Sequence, residues 1–253
     1  MVYFVGAGSG APDLITLRGA RLLEQVPVVI YAGSLVNPQL LERTKAGCRI
    51  YNSAEMTLEE VIQVIQEAHG AGEDVVRLHT GDPSLYGAVR EQMDRLDEQG
   101  IPWEVCPGVS SFCGAAAALG MEYTLPGVSQ TVILTRLAGR TPVPERESVE
   151  ALAAHGATMV VFLSAGRLGE LTRRLLAGGY RPDTPAAIVY RATWPDEKVI
   201  RCTVAELERR AAEEGISRTA LVVAGDAAAQ AGYQRSQLYH PAFTTGFRKG
   251  EEQ

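Results

Sequence analysis

The chain has 253 residues, 46% apolar and 21% charged, enough to bury the core of one large domain or two modest ones. Its net charge of −6 argues against nucleic acid as the main partner, because phosphate binding needs a basic surface. No stretch approaches the roughly 18 consecutive apolar residues of a membrane helix, and the opening MVYFVGAG lacks the basic region of a signal peptide.

In chain order, apolar runs at 2–5, 28–31, 48–51, 75–78 and 103–106 read as strands. Helix-like runs at 14–23, 38–45, 58–71 and 85–98 lie between them. The run 58–71 shows the helical period best, with Val61, Ile62, Ile65 and Ala68 on one face. Alternating β and α segments predict a mainly parallel sheet with helices over both faces. After Cys106, a Pro-Gly turn leads into a helix of small residues, and the turn formers of YTLPGVS predict a linker at 123–129. The reading is therefore α/β with two domains, 1–122 and 130–253. The second half offers strands at 130–135, 159–163, 186–190, 199–202 and 220–223, with helices at 148–154, 168–176 and 204–214. A short connection between the runs at 186–190 and 199–202 predicts an antiparallel hairpin, and so a mixed C-terminal sheet.

Cys48, Cys106, Cys113 and Cys202 form no CxxC pair and have no histidine ligands nearby. Neither a metal site nor a disulfide framework is expected, and a reducing cytoplasm fits. The glycine run Gly6-Ala7-Gly8-Ser9-Gly10 stands between a strand and a helix, where backbone N–H groups can approach a ligand. Its spacing is G-x-G-x-G rather than the dinucleotide G-x-G-x-x-G, and the second strand ends 30–34 without an acid for ribose. Taken alone, these glycines suit a tight β–α turn about as well as a ligand loop. In HTGDPSLYG, Asp82 is placed to cap a following helix with Pro83 at its first position, a role compatible with a ligand loop at a strand's carboxyl end. Ser110 in PGVSS occupies an N-cap position beside these loops. Arg136, Arg140 and Arg146 fall in one long loop of an acidic chain, the one place where an anion would be clamped by guanidinium forks.

These segments together resemble the tetrapyrrole methylase family along nearly the whole chain. The likeness is carried by VGAGSGAPDLITLRG at 5–19, IYAGSLV at 30–36, RLHTGDPSLYGAVREQM at 77–93, PGVSSF at 107–112, SQTVILTR…GRTPVPE at 129–145 and MVVFLS at 159–164. The YAGSLV, LHTGDPSLYG and LTR…GRTP segments point to its corrinoid branch, in cobalamin biosynthesis. The resemblance implies methyl transfer from S-adenosylmethionine to a ring carbon of a tetrapyrrole, with the cofactor in a cleft between the two domains. Carried over by motif, the cofactor contacts are Ser9, Thr80, Gly81, Asp82, Leu85, Ser110, Ser111, Ser164, Ala192 and Ala220. Arg136 and Arg140 are then expected on the acidic side chains of the macrocycle, with Tyr31, Ser34 and Tyr86 as polar groups that position it. The family usually has proline where Ser9 stands, so a softer first loop is expected. A homodimer is implied too. Methyl transfer from a sulfonium needs alignment above all, so no catalytic residue, metal or essential cysteine is assigned. Other readings are a methylase for another ring position of a corrinoid or uroporphyrinogen precursor, methylases of the same superfamily acting on diphthamide or ribosomal RNA, against which the pI of about 5.4 weighs, and a nucleotide-sensing module.

Overall fold

The structure is a computed structural model, and it describes residues 1–33 and 35–250. The chain forms two compact units: Met1–Ala117 with Arg191–Glu197, and Ala118–Tyr190 with the chain from Lys198 onward. This differs from a linear division around 123–129. The boundary falls inside a helix, and a short stretch from late in the chain belongs to the first unit.

The first unit holds β1 (Val2–Gly6), α1 (Leu17–Gln25), β2 (Val28–Tyr31), β3 (Arg49–Asn52), α2 (Leu58–Gly70), β4 (Val75–His79), α3 (Arg90–Glu98), β5 (Trp103–Cys106) and the start of α4 (Ser111–Leu119). Its sheet has the order β3-β2-β4-β1-β5, and every pairing is parallel. Side chains alternate between faces, as the strand period of two requires. Val2, Phe4, Ile30 and Val75 pack with Ile65 of α2 and Leu96 of α3 on one face. Val5, Val29, Val76 and Leu78 pack with Leu23 of α1 and with Leu40 on the other. Leu23, Ile65 and Leu96 are fully buried, each stabilising the fold by about 1.5–3 kcal/mol relative to exposure.

The second unit holds β6 (Val132–Arg136), α5 (Val149–Ala153), β7 (Thr158–Phe162), α6 (Leu168–Ala177), β8 (Pro185–Tyr190), β9 (Lys198–Thr203), α7 (Leu207–Glu213) and β10 (Ala220–Ala224). Its sheet runs β6-β7-β10-β8-β9 and is mixed: β6 and β7 are parallel, while β7–β10, β10–β8 and the β8–β9 hairpin are antiparallel. Leu168, Leu171 and Leu175 of α6, Val149 of α5 and Leu207 of α7 share one core with Met159, Val161, Ile188 and Val222 of the sheet.

Three helix expectations are corrected. The run 14–23 splits into a 3-10 turn at Pro12–Leu14 and α1, because Thr16 caps the true start by accepting the Gly19 N–H at 3.1 Å. The run 38–45 is a 3-10 turn, Pro38–Arg43. The helix expected over 85–98 begins only at Arg90, since Tyr86 and Ala88 take left-handed φ values of 56° and 49° that no right-handed helix accepts. Among the described residues no helix is long and apolar enough to cross a membrane.

Helix α2 starts with a reciprocal cap: Thr57 Oγ1 accepts the Glu60 N–H at 3.2 Å, and Glu60 Oε2 accepts the Thr57 N–H at 2.7 Å. Thr57→Ala is expected to lower unfolding free energy by about 1 kcal/mol in urea titrations, with ligand affinity of the folded protein unchanged.

Candidate active site

Strand order fixes where the first unit can bind a ligand. β1, β4 and β5 are neighbours, with β1 in the middle, so the loops leaving their carboxyl ends lie side by side. The connection through α1 runs one way along the sheet and that through α3 runs the other, which puts the two helices on opposite faces. The direction reverses between β1 and β4, and open α/β sheets bind ligands in the crevice at such points.

The loops around this crevice are joined backbone to backbone. Gly8 N–H donates to Gly81 C=O at 3.2 Å and Gly81 N–H to Gly8 C=O at 2.9 Å, an isolated antiparallel bridge between loops of parallel strands. Asp82 fastens the second loop to the third, its Oδ2 accepting the Gly108 N–H at 2.8 Å. Its Oδ1 accepts both the N–H and the hydroxyl of Ser84, at 2.9 and 2.5 Å. Asp82 is therefore not the cap of a helix, as the sequence suggested, because no helix starts there. Burial alone would raise its carboxyl pKa, but the bonds from the Ser84 hydroxyl, the Gly108 N–H and the Ser84 N–H outweigh it and hold it below the usual value. Ser110 does precede a helix: its carbonyl accepts the Cys113 N–H at 3.0 Å in the first turn of α4.

A fourth element, 191–197, closes over the first loop. Thr193 Oγ1 accepts the Ala11 N–H at 3.0 Å and lies 3.1 Å from Ser9 Oγ. Asn37 Nδ2 donates to Gly10 C=O at 2.9 Å. Side-chain bonds thus hold the first loop at Ser9, Gly10 and Ala11. Gly10 lies so close beneath Trp194 that a Cβ would fall 2.2 Å from its Cδ1. Arg191 stacks on the same indole at 4.0 Å and pairs with Asp196. Arg191 and Thr193 both have positive φ, 47° and 68°, a strain of about 1–3 kcal/mol each of the kind that gathers at binding sites.

In the first unit, Ser9, Gly81, Asp82, Ser110 and Ala192 thus lie on loops that hydrogen bonds or close packing tie together around one crevice, with Thr80, Leu85 and Ser111 on the same loops. Tyr31 ends β2 at the same sheet edge, and Tyr86 is exposed on its left-handed turn. Ser34 lies outside the described residues.

In the second unit the expected residues divide. Ser164 is buried, its hydroxyl donating to Phe162 C=O at 2.7 Å and accepting the Leu137 N–H at 3.0 Å, so its side chain ties the loop after β7 to the end of β6. Its neighbour Leu163 is 65% exposed at a φ of 52°. Ala220 opens β10 opposite Tyr190. Arg136 donates to the carbonyls of Leu137, Thr141 and Pro142, closing its own loop. Arg140 is exposed and has no ion pair among the described residues. The sequence reading missed Asn37 and Thr193, which bond the first loop; Asn37 directly precedes the run at 38–45 that was read as a helix.

The fold and the site define a doubly wound α/β unit with a ligand crevice at its strand-order reversal, followed by a mixed α/β unit. The chain belongs to the tetrapyrrole (corrin/porphyrin) methylases, whose family profile matches residues 1–208. It is 49% identical to a cobalt-precorrin-4 C(11)-methyltransferase of Methanocaldococcus jannaschii, over 99% of this chain and 97% of that protein. A crystal structure of a cobalamin biosynthetic enzyme, cobalt precorrin-4 methyltransferase, is similar with a TM-score of 0.88 and 45% identity, covering 90% of this chain and 95% of that one. A uroporphyrin-III C-methyl transferase from Thermus thermophilus complexed with S-adenosylhomocysteine is similar with a TM-score of 0.73 and 30% identity, covering 89% and 92%.

Gly10→Ala is expected to force Trp194 off the first loop, lowering stability by about 1–3 kcal/mol and red-shifting the indole emission. Unchanged emission and an unchanged urea midpoint would remove the contact from the site.

Proposed function

We propose that the chain transfers a methyl group from S-adenosylmethionine to C11 of precorrin-4, or of its cobalt form, giving the precorrin-5 stage of cobalamin biosynthesis. The observation that carries this reading is the near half-identity to a cobalt-precorrin-4 C(11)-methyltransferase over almost the full length of both chains. The geometry supports it. At Gly81, left-handed with φ of 61°, a side chain would start 3.3 Å from the Ser111 amide nitrogen, so glycine leaves the backbone of Ser110 and Ser111 uncovered for a ligand. The start of α4 also favours a carboxylate through its dipole. These features fit an amino-acid sulfonium cofactor, held by Ser9, Thr80, Gly81, Leu85, Ser110, Ser111 and Ala192, with Asp82 fixing the loops around it.

Bound S-adenosylmethionine supplies a methyl group already activated on a sulfonium. The residues of this chain then have to hold the two reactants in line, and orientation of that kind removes about 7–11 kcal/mol of barrier. His79 is no candidate base: burial, helped by the nearby Arg77 charge, pushes its pKa down to about 3. Arg140, exposed and without an ion pair among the described residues, is assigned to a macrocycle carboxylate, while Arg136 shapes the loop that carries it. We assign the protein to the cytoplasm, a reading supported by four unpaired cysteines. We also assign a homodimer, on the exposed apolar residues Tyr233, Leu238, Tyr239 and Phe247 near the C-terminus; a monomer by light scattering refutes it.

Incubation with methyl-labelled S-adenosylmethionine and precorrin-4 should place the label at C11 by NMR; label at another ring carbon, or none, refutes the assignment. Arg140→Ala should raise the KM for the tetrapyrrole roughly ten- to hundred-fold, the equivalent of one charged hydrogen bond, with S-adenosylhomocysteine affinity retained. Asp82→Ala should weaken S-adenosylhomocysteine binding about ten-fold or more in calorimetry, because its loss frees the Gly108 loop.

A further inference from the structure

Strand β4 carries a residue that neither the apolar core nor the cofactor loops explain. Arg77 sits in the middle strand of the sheet, on the face covered by α2 and α3, and is only 5% exposed. Among the described residues no carboxylate lies within ion-pair reach of it. A buried guanidinium without a counter-charge is costly, since desolvation is not offset by Coulomb attraction. Burial pushes its pKa down to about 10, which still leaves it charged at neutral pH.

All of its observed partners are neutral, and they lead to two loops. Nη1 donates to Ile30 C=O at 3.1 Å. Nη2 donates to Ser53 Oγ at 3.0 Å, and that hydroxyl donates onward to Tyr31 C=O at 3.1 Å. Nε donates to Gln92 Oε1 at 2.9 Å, and Gln92 Nε2 donates to Ala88 C=O at 3.0 Å. The first two arms hold the strand end from which the 31–36 loop leaves. The third holds the return of the GDP loop just after Tyr86. Tyr31 and Tyr86, two groups of the first unit proposed to face the tetrapyrrole, stand at these two places.

We propose that Arg77 is a positioning residue for the acceptor side of the site: its guanidinium fixes the end of β2 at Tyr31 and the Tyr86 turn relative to one another, and so sets how the tetrapyrrole is seated. It touches neither reactant. A planar fork is needed because one side chain must reach three acceptors in different directions, which a lysine ammonium on a flexible stem does not reproduce. The inference rests on the proposed methylation of precorrin-4.

The test compares Arg77→Lys, Ser53→Ala and the wild type in three measurements. These are kcat and KM for precorrin-4 at saturating S-adenosylmethionine, S-adenosylhomocysteine affinity by calorimetry, and amide hydrogen exchange. Arg77→Lys should raise the KM for precorrin-4 about ten-fold or more, with cofactor-product affinity within about two-fold of wild type. Exchange should speed up over 32–37 and 84–89 but not over 7–11 and 108–111. A folded Arg77→Lys with unchanged KM, or with cofactor-product affinity lost in parallel, overturns the proposal. Should Arg77→Lys fail to fold, Ser53→Ala decides, because it cuts only the arm to Tyr31: a KM raised about three-fold with cofactor-product affinity intact supports the role, and no change refutes it. If the wild type binds S-adenosylhomocysteine but does not methylate precorrin-4, the functional reading falls, and exchange alone decides the inference. Faster exchange confined to those two loops in either variant sustains it, and a uniform or absent change overturns it.

Discussion

The first unit depends on a pair of backbone hydrogen bonds between Gly8 and Gly81. Parallel strands normally diverge into their own connections once the ladder ends. Here the chains leaving β1 and β4 turn and pair once more, antiparallel, beyond the sheet edge. That extra bridge falls where the connections reverse direction, so it fixes the floor of the crevice with groups that cannot be lost to side-chain substitution. Asp82 extends the constraint to the loop after β5, and Thr193 and Asn37 extend it to the two sides of the glycine loop. The arrangement suits a reaction that depends on alignment, because none of these contacts has to move a proton or form a covalent bond.

Polarity in this unit is distributed by role. Around the glycine loops the fasteners are short side chains: Asn37, Asp82 and Thr193 hold backbone, and Ser9 meets the Thr193 hydroxyl. On the α2/α3 face the same task falls to one long side chain, Arg77, whose reach of several ångströms joins elements that short residues cannot. In the second unit, Arg136 and Ser164 are spent in a similar way on their own loops. Arginine count in a loop is therefore a poor measure of anion-binding capacity: of the two arginines placed on the substrate, Arg136 is engaged by the carbonyls of its own loop, while Arg140 has no ion pair among the described residues.

Much of this was legible in the sequence, and the reasons are physical. Buried parallel strands are continuous apolar runs, so β2 was located to the residue; the edge strand β5 was located as well despite its exposed Glu104, and the others to within a residue or two. The short connection between β8 and β9 announced an antiparallel hairpin and hence the mixed sheet. What was hidden depended on partners far apart in the chain or on backbone dihedrals. The late start of α3 follows from left-handed Tyr86 and Ala88, residue types with no preference for that conformation. Thr193 meets Ala11 across 182 positions, and no local pattern marks such a pair. Arg77 lies inside a run read only as an apolar strand, and its partners on β2, the turn after β3 and α3 became visible only once the strand order was known.

The stretch Arg191–Glu197 belongs to the first unit although it is encoded some seventy residues after that unit's main body ends. On the ribosome, residues 1–117 can therefore collapse onto their own sheet well before the strap exists. Until residue 193 has emerged, the Ala11 N–H has no Thr193 hydroxyl to bond and the indole of Trp194 does not yet cover Gly10. Closure of the glycine loop is thus a late event in synthesis, and a chain released early would carry the three loops after β1, β4 and β5 without the piece that finishes them.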